Sequence, residues 1–368
     1  MANSQQPHNS DDSDFDFKKQ FNQLAYLHGT PEATGVIRRH PDDFRVEEQL
    51  DFELTGEGEH VCLYIEKIGE NTQFVAKKLA KFAGVKIRDV SYAGLKDRNA
   101  ITRQWFSVPV PIKKELDWDA FSTDTIKVIE HTRHQKKLRT GCLSGNKFTL
   151  VIRDIENYTA LVRRLGLIES LGVPNYFGEQ RFGIEGNNLQ LAERMFAGEA
   201  IRDKKLRGLV ISAARSWLFN LIVSKRAEQN VLTSPLEGDL FMFPDVNSYF
   251  AAPLDEPTLQ RLAKQEICLS APLVGNELAF AKDDAGAIEQ SAVTDYQAWI
   301  AGLDALRAGN DRRRVILKPL TFTYEKIDDS SIVLSFTLPS GCFATSLLRE
   351  AINYSDYSDV LRSQYNKS

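Results

Sequence analysis

The sequence predicts an α+β protein: a mixed or antiparallel sheet domain with flanking helices, built from both ends of the chain and interrupted by an inserted second domain. Three observations carry this reading. Strand-like and helix-like segments alternate over roughly the first 150 residues. From about Tyr158 the apolar spacing becomes helical, and near Leu320 the strand pattern returns. The length of 368 residues accommodates two domains of ordinary size.

Taken in order, Met1 to Gln20 is polar and rich in Asp, Asn and Ser, and residues 1–20 read as a disordered acidic tail. Gly35 to Glu48 reads as two strands joined by a turn at Pro41, the second strand being Phe44 to Glu47. His60 to Lys67 alternates apolar and polar side chains, as a half-buried strand does. Asn71-Thr72 caps a helix whose apolar positions are Phe74, Val75, Leu79 and Phe82 and which stops at Gly84. Val90 to Ala93, Trp105 to Val110 and Phe148 to Ile152 read as strands. Leu161, Leu165, Ile168 and Leu171 mark one amphipathic helix, and Ser212 to Arg226 a second. From Leu232 to about Asn310 the pattern is irregular. Strands at Thr321 to Tyr324 and Ile332 to Leu338, a turn at Pro339-Ser340-Gly341 and a helix from Ala344 to Ile352 complete the chain.

Bulk properties narrow the function classes. The hydrophobic fraction of 42% supplies ordinary cores. No apolar run approaches the ~20 residues of a membrane span, and no signal peptide opens the chain, so a soluble cytoplasmic protein is expected. Cys62, Cys142, Cys268 and Cys342 are scattered, against both a zinc knuckle and a disulfide framework. The net charge of −4 does not announce nucleic acid, yet basic residues cluster at Lys77–Arg88, Arg133–Arg139, Arg202–Arg207 and Arg312–Arg314. Each cluster alone reads as a solvated face; four in one acidic protein shift the balance modestly toward a polyanion.

Three constellations could carry chemistry. In the first, Ser91 to Ala100, Asp97 lies between Lys96 and Arg98 on a turn after a strand. Flanking cations favour an ionised carboxylate, hence a nucleophile or base; from residue types alone, a surface ion-pair turn is the better reading. In the second, Gly172 to Gly183, glycines, amides and Arg181 interleave with three aromatics. A phosphate- and base-contacting loop and a buried aromatic turn suit it equally. In the third, Phe343 follows the turn at Pro339-Gly341, and Phe44 likewise follows the turn at Pro41. Either ring could clamp an extruded base, although core packing is commoner for such residues. Asn146, next to Gly145, offers an amide to a base edge, or is an ordinary turn residue.

In their order and separations, Ala93-Gly94-Leu95-Lys96-Asp97-Arg98, Thr102-Arg103-Gln104-Trp105, Gly145-Asn146-Lys147-Phe148, Val173-Pro174-Asn175-Tyr176-Phe177-Gly178, Gln180-Arg181-Phe182-Gly183 and Leu338-Pro339 through Phe343-Ala344-Thr345 to Arg349-Glu350 resemble the motif series of the TruD family of tRNA pseudouridine synthases. The resemblance spans about Tyr26 to Asn353 and is thin from about Ala227 to Arg314. It implies a catalytic domain at 21–171 plus 318–368 and an inserted α/β, TRUD-type domain at 172–317. It implies Asp97 as the catalytic aspartate, with Phe44, Asn146 and Phe343 lining the uridine pocket. Arg38, beside Arg39, or Lys96 would pair with Asp97, and Arg181 would contact substrate. The implied activity is an isomerase converting uridine at position 13 of tRNA to pseudouridine.

The chemistry itself needs no cofactor, because the ribose–N1 bond breaks and the ribose rejoins C5 of the same ring. No P-loop, dinucleotide fingerprint or metal-ligand spacing contradicts this. The expected partner is tRNA, with no membrane, cofactor or metal, acting as a monomer. The carboxylate would attack as a nucleophile or remove a sugar proton. Glu47 or Glu48 could supply the second carboxyl of a hydrolase, though the resemblance gives neither that role. Competing readings are a tRNA-binding protein or RNA chaperone that keeps the fold without the chemistry, and a nucleoside hydrolase that would release free uracil.

Overall fold

The computed structural model describes residues 16–98, 100–244 and 246–358. It divides into two compact units. Of the described residues, one comprises those of Leu27–Asn175 with Ile316–Ser368, and the other those of Met1–Tyr26 with Tyr176–Val315. In chain order the elements begin with α1 (Phe17–Asn22), β1 (Thr34–Ile37), β2 (Phe44–Leu50), β3 (His60–Ile68), α2 (Thr72–Ala83), β4 (Ser91–Tyr92), β5 (Ile101–Pro109), β6 (Ile126–His134), β7 (Leu143–Glu156), α3 (Tyr158–Leu171) and β8 (Val173–Pro174). Then follow α4 (Asn187–Phe196), α5 (Lys204–Glu228), β9 (Leu240–Met242), β10 (Tyr249–Ala251), α6 (Glu256–Ala263), β11 (Cys268–Leu273), α7 (Asp283–Ser291), α8 (Gln297–Ala305) and β12 (Asp311–Arg314). The chain closes with β13 (Ile316–Leu317), β14 (Leu320–Asp328), β15 (Ser331–Pro339), α9 (Ala344–Ala351) and β16 (Asn353–Asp356). The α+β class expected from the sequence is the class observed.

In the first unit a large sheet runs β14-β15-β7-β2-β5-β3-β6, with β1 joining β7 to β16 and β4 hydrogen-bonded to β5. Most neighbours are antiparallel, whereas β2 and β5 run parallel. Residues directly opposite in a ladder share a face. Phe44, Val46, Phe148, Leu150, Phe336 and Leu338 therefore point the same way, and pack with Leu161, Leu165 and Ile168 of α3 and Leu347 and Leu348 of α9. On the same face, Val61, Leu63, Ile65, Phe106 and Val108 pack with Val75 and Leu79 of α2. Between these two apolar clusters the face turns polar, with Glu48, Lys67, Thr102 and Gln104 all buried.

The helix α2 forms as its sequence requires. The Asn71 side chain accepts the Phe74 N–H at 2.8 Å, a cap that contributes about 1 kcal/mol, and Gly84 ends the helix at φ 72°. At the far end of β7, a Cβ on Gly145 would lie 2.4 Å from the Leu338 carbonyl oxygen, so only glycine lets β15 pair there.

The second unit is organised around α5, where Trp217, Phe219 and Ile222 are fully buried. By length and composition α5 suffices to cross a bilayer, which differs from the expectation that no segment approaches that length. Over half of its most apolar window, 56%, is buried inside the protein. The helix also carries the fully buried Arg226, whose guanidinium grips Asp239 at 2.7 and 2.9 Å. These are features of a core helix. The reading of residues 1–20 as one disordered tail is corrected at its end. Residues 17–20 belong to α1, because Phe17 and Phe21 bury their rings against Phe182, and Phe17 also meets Trp217. Positions 1–15 lie outside the described residues.

Candidate active site

The loop Gly94–Arg98, between β4 and β5, is held from below along its length. Gln104 donates to the Gly94 carbonyl at 3.1 Å, and the Thr72 hydroxyl accepts the Lys96 N–H at 3.1 Å while donating to Gln104 at 2.8 Å. Lys67 Nζ donates to the Asp97 carbonyl at 3.0 Å and to the Glu70 carbonyl at 2.7 Å. Arg98 Nε reaches the Gly69 carbonyl at 2.9 Å. The loop backbone is thus fixed from β3, β5 and α2, while the Asp97 carboxylate stands 52% exposed with Arg38 Nη2 at 3.4 Å. A rigid backbone under an open carboxylate is the arrangement a positioned nucleophile or base needs.

Arg38 follows β1 with φ 57°, a left-handed conformation costly for a residue with a Cβ. Its side chain is only 10% exposed. The guanidinium lies 3.9 Å above the centre of the Phe44 ring and also pairs with Asp356. Its Nε is buried without a hydrogen-bond partner among the described residues. Phe44 is itself buried, with its ring edge-on to Phe148 at 6.4 Å. Asp97, Arg38 and Phe44 therefore form one contiguous group.

Lys96 does not pair with Asp97. It turns inward to Glu48, which is fully buried and also accepts the Trp105 N–H at 2.8 Å. Burial raises the Glu48 carboxyl above the usual range, opposed by the Lys96 ammonium. Asn146 faces Glu48 across the β2–β7 ladder and Leu338 across the β7–β15 ladder. Its Oδ1 is buried and unpartnered among the described residues. Phe343, partly buried, opens α9 just after the turn that follows Leu338. In α9's first turn, Thr345 Oγ1 is likewise buried and unpartnered among the described residues.

Lys67 is the residue the sequence reading passed over as a catalytic-site candidate. It is fully buried, and desolvation pushes its ammonium down to about 8, opposed first by the nearby Asp97 charge. Its signal was legible: Val61, Leu63 and Ile65 set an inward-facing series, and the next member is a lysine.

Other expectations land elsewhere. Arg181 belongs to the second unit, where it donates to Ser216 at 3.2 Å, bonds Ser212, and lies 5.6 Å from the Phe177 ring centre. Around it the buried aromatic turn prevails: Tyr176, Phe177 and Phe182 are all buried, and Tyr176 donates to the Ala25 carbonyl at 2.9 Å. The Arg312–Arg314 run is not a solvated polyanion surface throughout. Arg312 is 4% exposed, ion-paired with buried Glu289 and bonded to Ser270 and Ala279. Among the described residues no group of three or more His, Cys, Asp or Glu could hold a metal ion.

With this geometry in hand, the likeness to known proteins is direct. The family model for tRNA pseudouridine synthase D (TruD) matches residues 20–201 and 199–351. A tRNA pseudouridine synthase D of Pseudoalteromonas translucida (strain TAC 125) is 48% identical, covering 93% of this chain and 96% of that protein. One of Aeromonas hydrophila is 43% identical, with 94% and 98% covered. A crystal structure assigned to TruD from Methanosarcina mazei superposes with a TM-score of 0.70 over 91% of this chain and 97% of its own; at 22% identity it supports the fold. The family match over nearly the whole chain and full-length relatives far above 30% identity give one conclusion: this chain belongs to the TruD family of tRNA pseudouridine synthases, which are isomerases.

Proposed function

We propose that this chain isomerises the uridine at position 13 of tRNA to pseudouridine, with Asp97 as the reacting residue. The observation that carries the reading is the contrast at Asp97: a backbone pinned by buried Lys67 beneath a carboxylate that is half open.

The reaction requires the target base to leave the stack, at a cost of a few kcal/mol that pocket contacts offset. The N1–C1′ bond then breaks, the detached ring turns, C5 bonds to C1′, and the C5 proton is lost as N1 gains one. Asp97 takes part as an anion, either attacking the ribose or removing a ribose proton; both need an ionised carboxylate with a free face. Arg38 holds that carboxylate from one side and is itself fixed by Asp356 and Phe44. Asn146 Oδ1, buried and lacking a partner among the described residues, would accept the N3–H of uracil once an entering base opens a way to it. Phe343 supplies an apolar wall, and Phe44 acts one layer below, as the platform for Arg38.

The test is incubation of purified protein with unmodified tRNA, read by pseudouridine-specific chemical labelling. Stoichiometric conversion at position 13, lost when that uridine is replaced by cytidine, is expected. Binding without conversion under single-turnover conditions would identify an RNA-binding protein of this fold instead, and release of free uracil would identify a hydrolase.

A further inference from the structure

Two of the four basic clusters, distant in sequence, converge on one cavity of ≈ 540 Å³ in the unit that carries the large sheet. Lys77 comes from α2, Arg88 from the turn after it, and Lys137 and Arg139 from the loop between β6 and β7. All four are exposed, and no carboxylate among the described residues lines the cavity. Arg88 is 76% exposed and only 3.9 Å from Asp89. Five less polar side chains share the lining: Ala76, Val90 and Leu138 are buried, Tyr92 is half-buried and Ile87 is 48% exposed.

The convergence is built into the fold. The 137–142 loop is stapled to the sheet where the Leu138 N–H meets Ser107 Oγ at 3.0 Å and Ser107 Oγ lies 2.8 Å from Ser91 Oγ. The Gly141 N–H then donates to the Ala93 carbonyl at 2.8 Å. These bonds fix the second cluster against β4, whose chain continues within a few residues to Asp97. Contrast the Arg312–Arg314 run, where Arg312 is spent on Glu289 inside the second unit. Exposed cations around a recess, with an aromatic edge and an exposed aliphatic among them, suit a nucleic-acid backbone that passes over a ribose or base.

We infer that this cavity is a docking site for a phosphodiester segment of the substrate RNA, separate from the uridine pocket. It rests on the isomerase reading for the identity of the RNA. Its contribution is affinity and register, so it acts on binding rather than on the chemical step.

The test uses the full chain and unmodified tRNA, with Lys77→Gln, Lys137→Gln and the double variant, and with Arg88→Gln/Arg139→Gln as an independent pair. Circular dichroism checks folding. The dissociation constant is measured across a salt series, and conversion is measured in single turnovers at saturating enzyme. Each double variant is expected to bind tRNA about tenfold more weakly near 0.1 M salt, with a log–log salt slope shallower by about 1.5. The saturated conversion rate is expected to hold within about twofold. Unchanged affinity and slope in both double variants overturn the proposal. So does loss of uridine monophosphate binding with tRNA affinity intact, which marks a mononucleotide site. If the wild-type protein converts no uridine yet the slopes shift as described, the docking site stands and the isomerase reading falls.

Discussion

Lys67 Nζ lies 3.0 Å from the backbone carbonyl of Asp97, a fully buried cation bonded to the peptide of the residue proposed to react. Among the described residues the ammonium bonds the Asp97 and Glu70 carbonyls, away from solvent, so it acts on where Asp97 stands.

Lys67→Met should leave tRNA affinity within about twofold while lowering the single-turnover rate by about 10- to 100-fold, the range expected when a reacting group loses its register. Lys67→Arg should restore part of the rate if donation to the carbonyl is what matters. Equal losses in affinity and rate would mark Lys67 as a residue of the fold alone.

The same lysine predicts a pH dependence. Its folded value, about 8, lies below the ordinary 10.5. Below pH 8 it is charged in both folded and unfolded chains, and the desolvation penalty is fully present. Between about 8 and 10.5 the unfolded chain binds more protons, so stability contributed at this site rises with pH. Urea unfolding of wild type and Lys67→Met at pH 7.5 and 9.5 checks this: the stability of the wild type relative to the variant should rise at the higher pH. Activity should move oppositely, declining above pH 8 as the carbonyl loses its charged donor, and this decline should be absent from Lys67→Met.

Arg38 separates backbone from side chain. Its left-handed φ of 57° favours glycine, so Arg38→Gly should unfold at a stability about 1 kcal/mol above Arg38→Ala. Both should lose conversion alike, because both lack the guanidinium between Asp97, Asp356 and Phe44. Thermal melts and single-turnover assays measure the two effects independently.

Lys96 is a stabilising residue by its geometry. Lys96→Met leaves Glu48 without its cation inside the sheet face, a loss of about 3–5 kcal/mol. Adding Glu48→Gln should recover much of it, and a double-mutant cycle by urea denaturation reads the coupling. Small, additive effects would contradict a buried pair.

The local elements were legible in the sequence because their causes are local. Asn71 and Gly84 bracket α2, and the alternation of His60 to Lys67 announces β3. The charged turn at Asp97 and the phenylalanines after the turns at Pro41 and Gly341 were visible as unusual residues, and the structure brings Asp97, Arg38 and Phe44 together. What one sequence could not display was the ladder order. Only when β2 lies between β5 and β7 does Glu48 come to face Asn146 and take Lys96 away from Asp97. Basic runs were equally ambiguous: Arg312 and Lys77 look alike until one is found buried on Glu289 and the other at an open cavity. α5 begins at Lys204, well before the expected Ser212, because the Asp203 carboxylate caps it by accepting the Lys205 and Leu206 N–H groups at 2.8 and 3.1 Å.

Asp97→Asn puts the chemistry itself to the question, since the substitution keeps the side chain's shape and removes only its charge. Single-turnover conversion of unmodified tRNA by this variant, at enzyme concentrations that saturate binding, should yield no pseudouridine above background, with tRNA affinity and the thermal midpoint close to wild type. Conversion at a rate near that of the unaltered protein would contradict the assignment of Asp97.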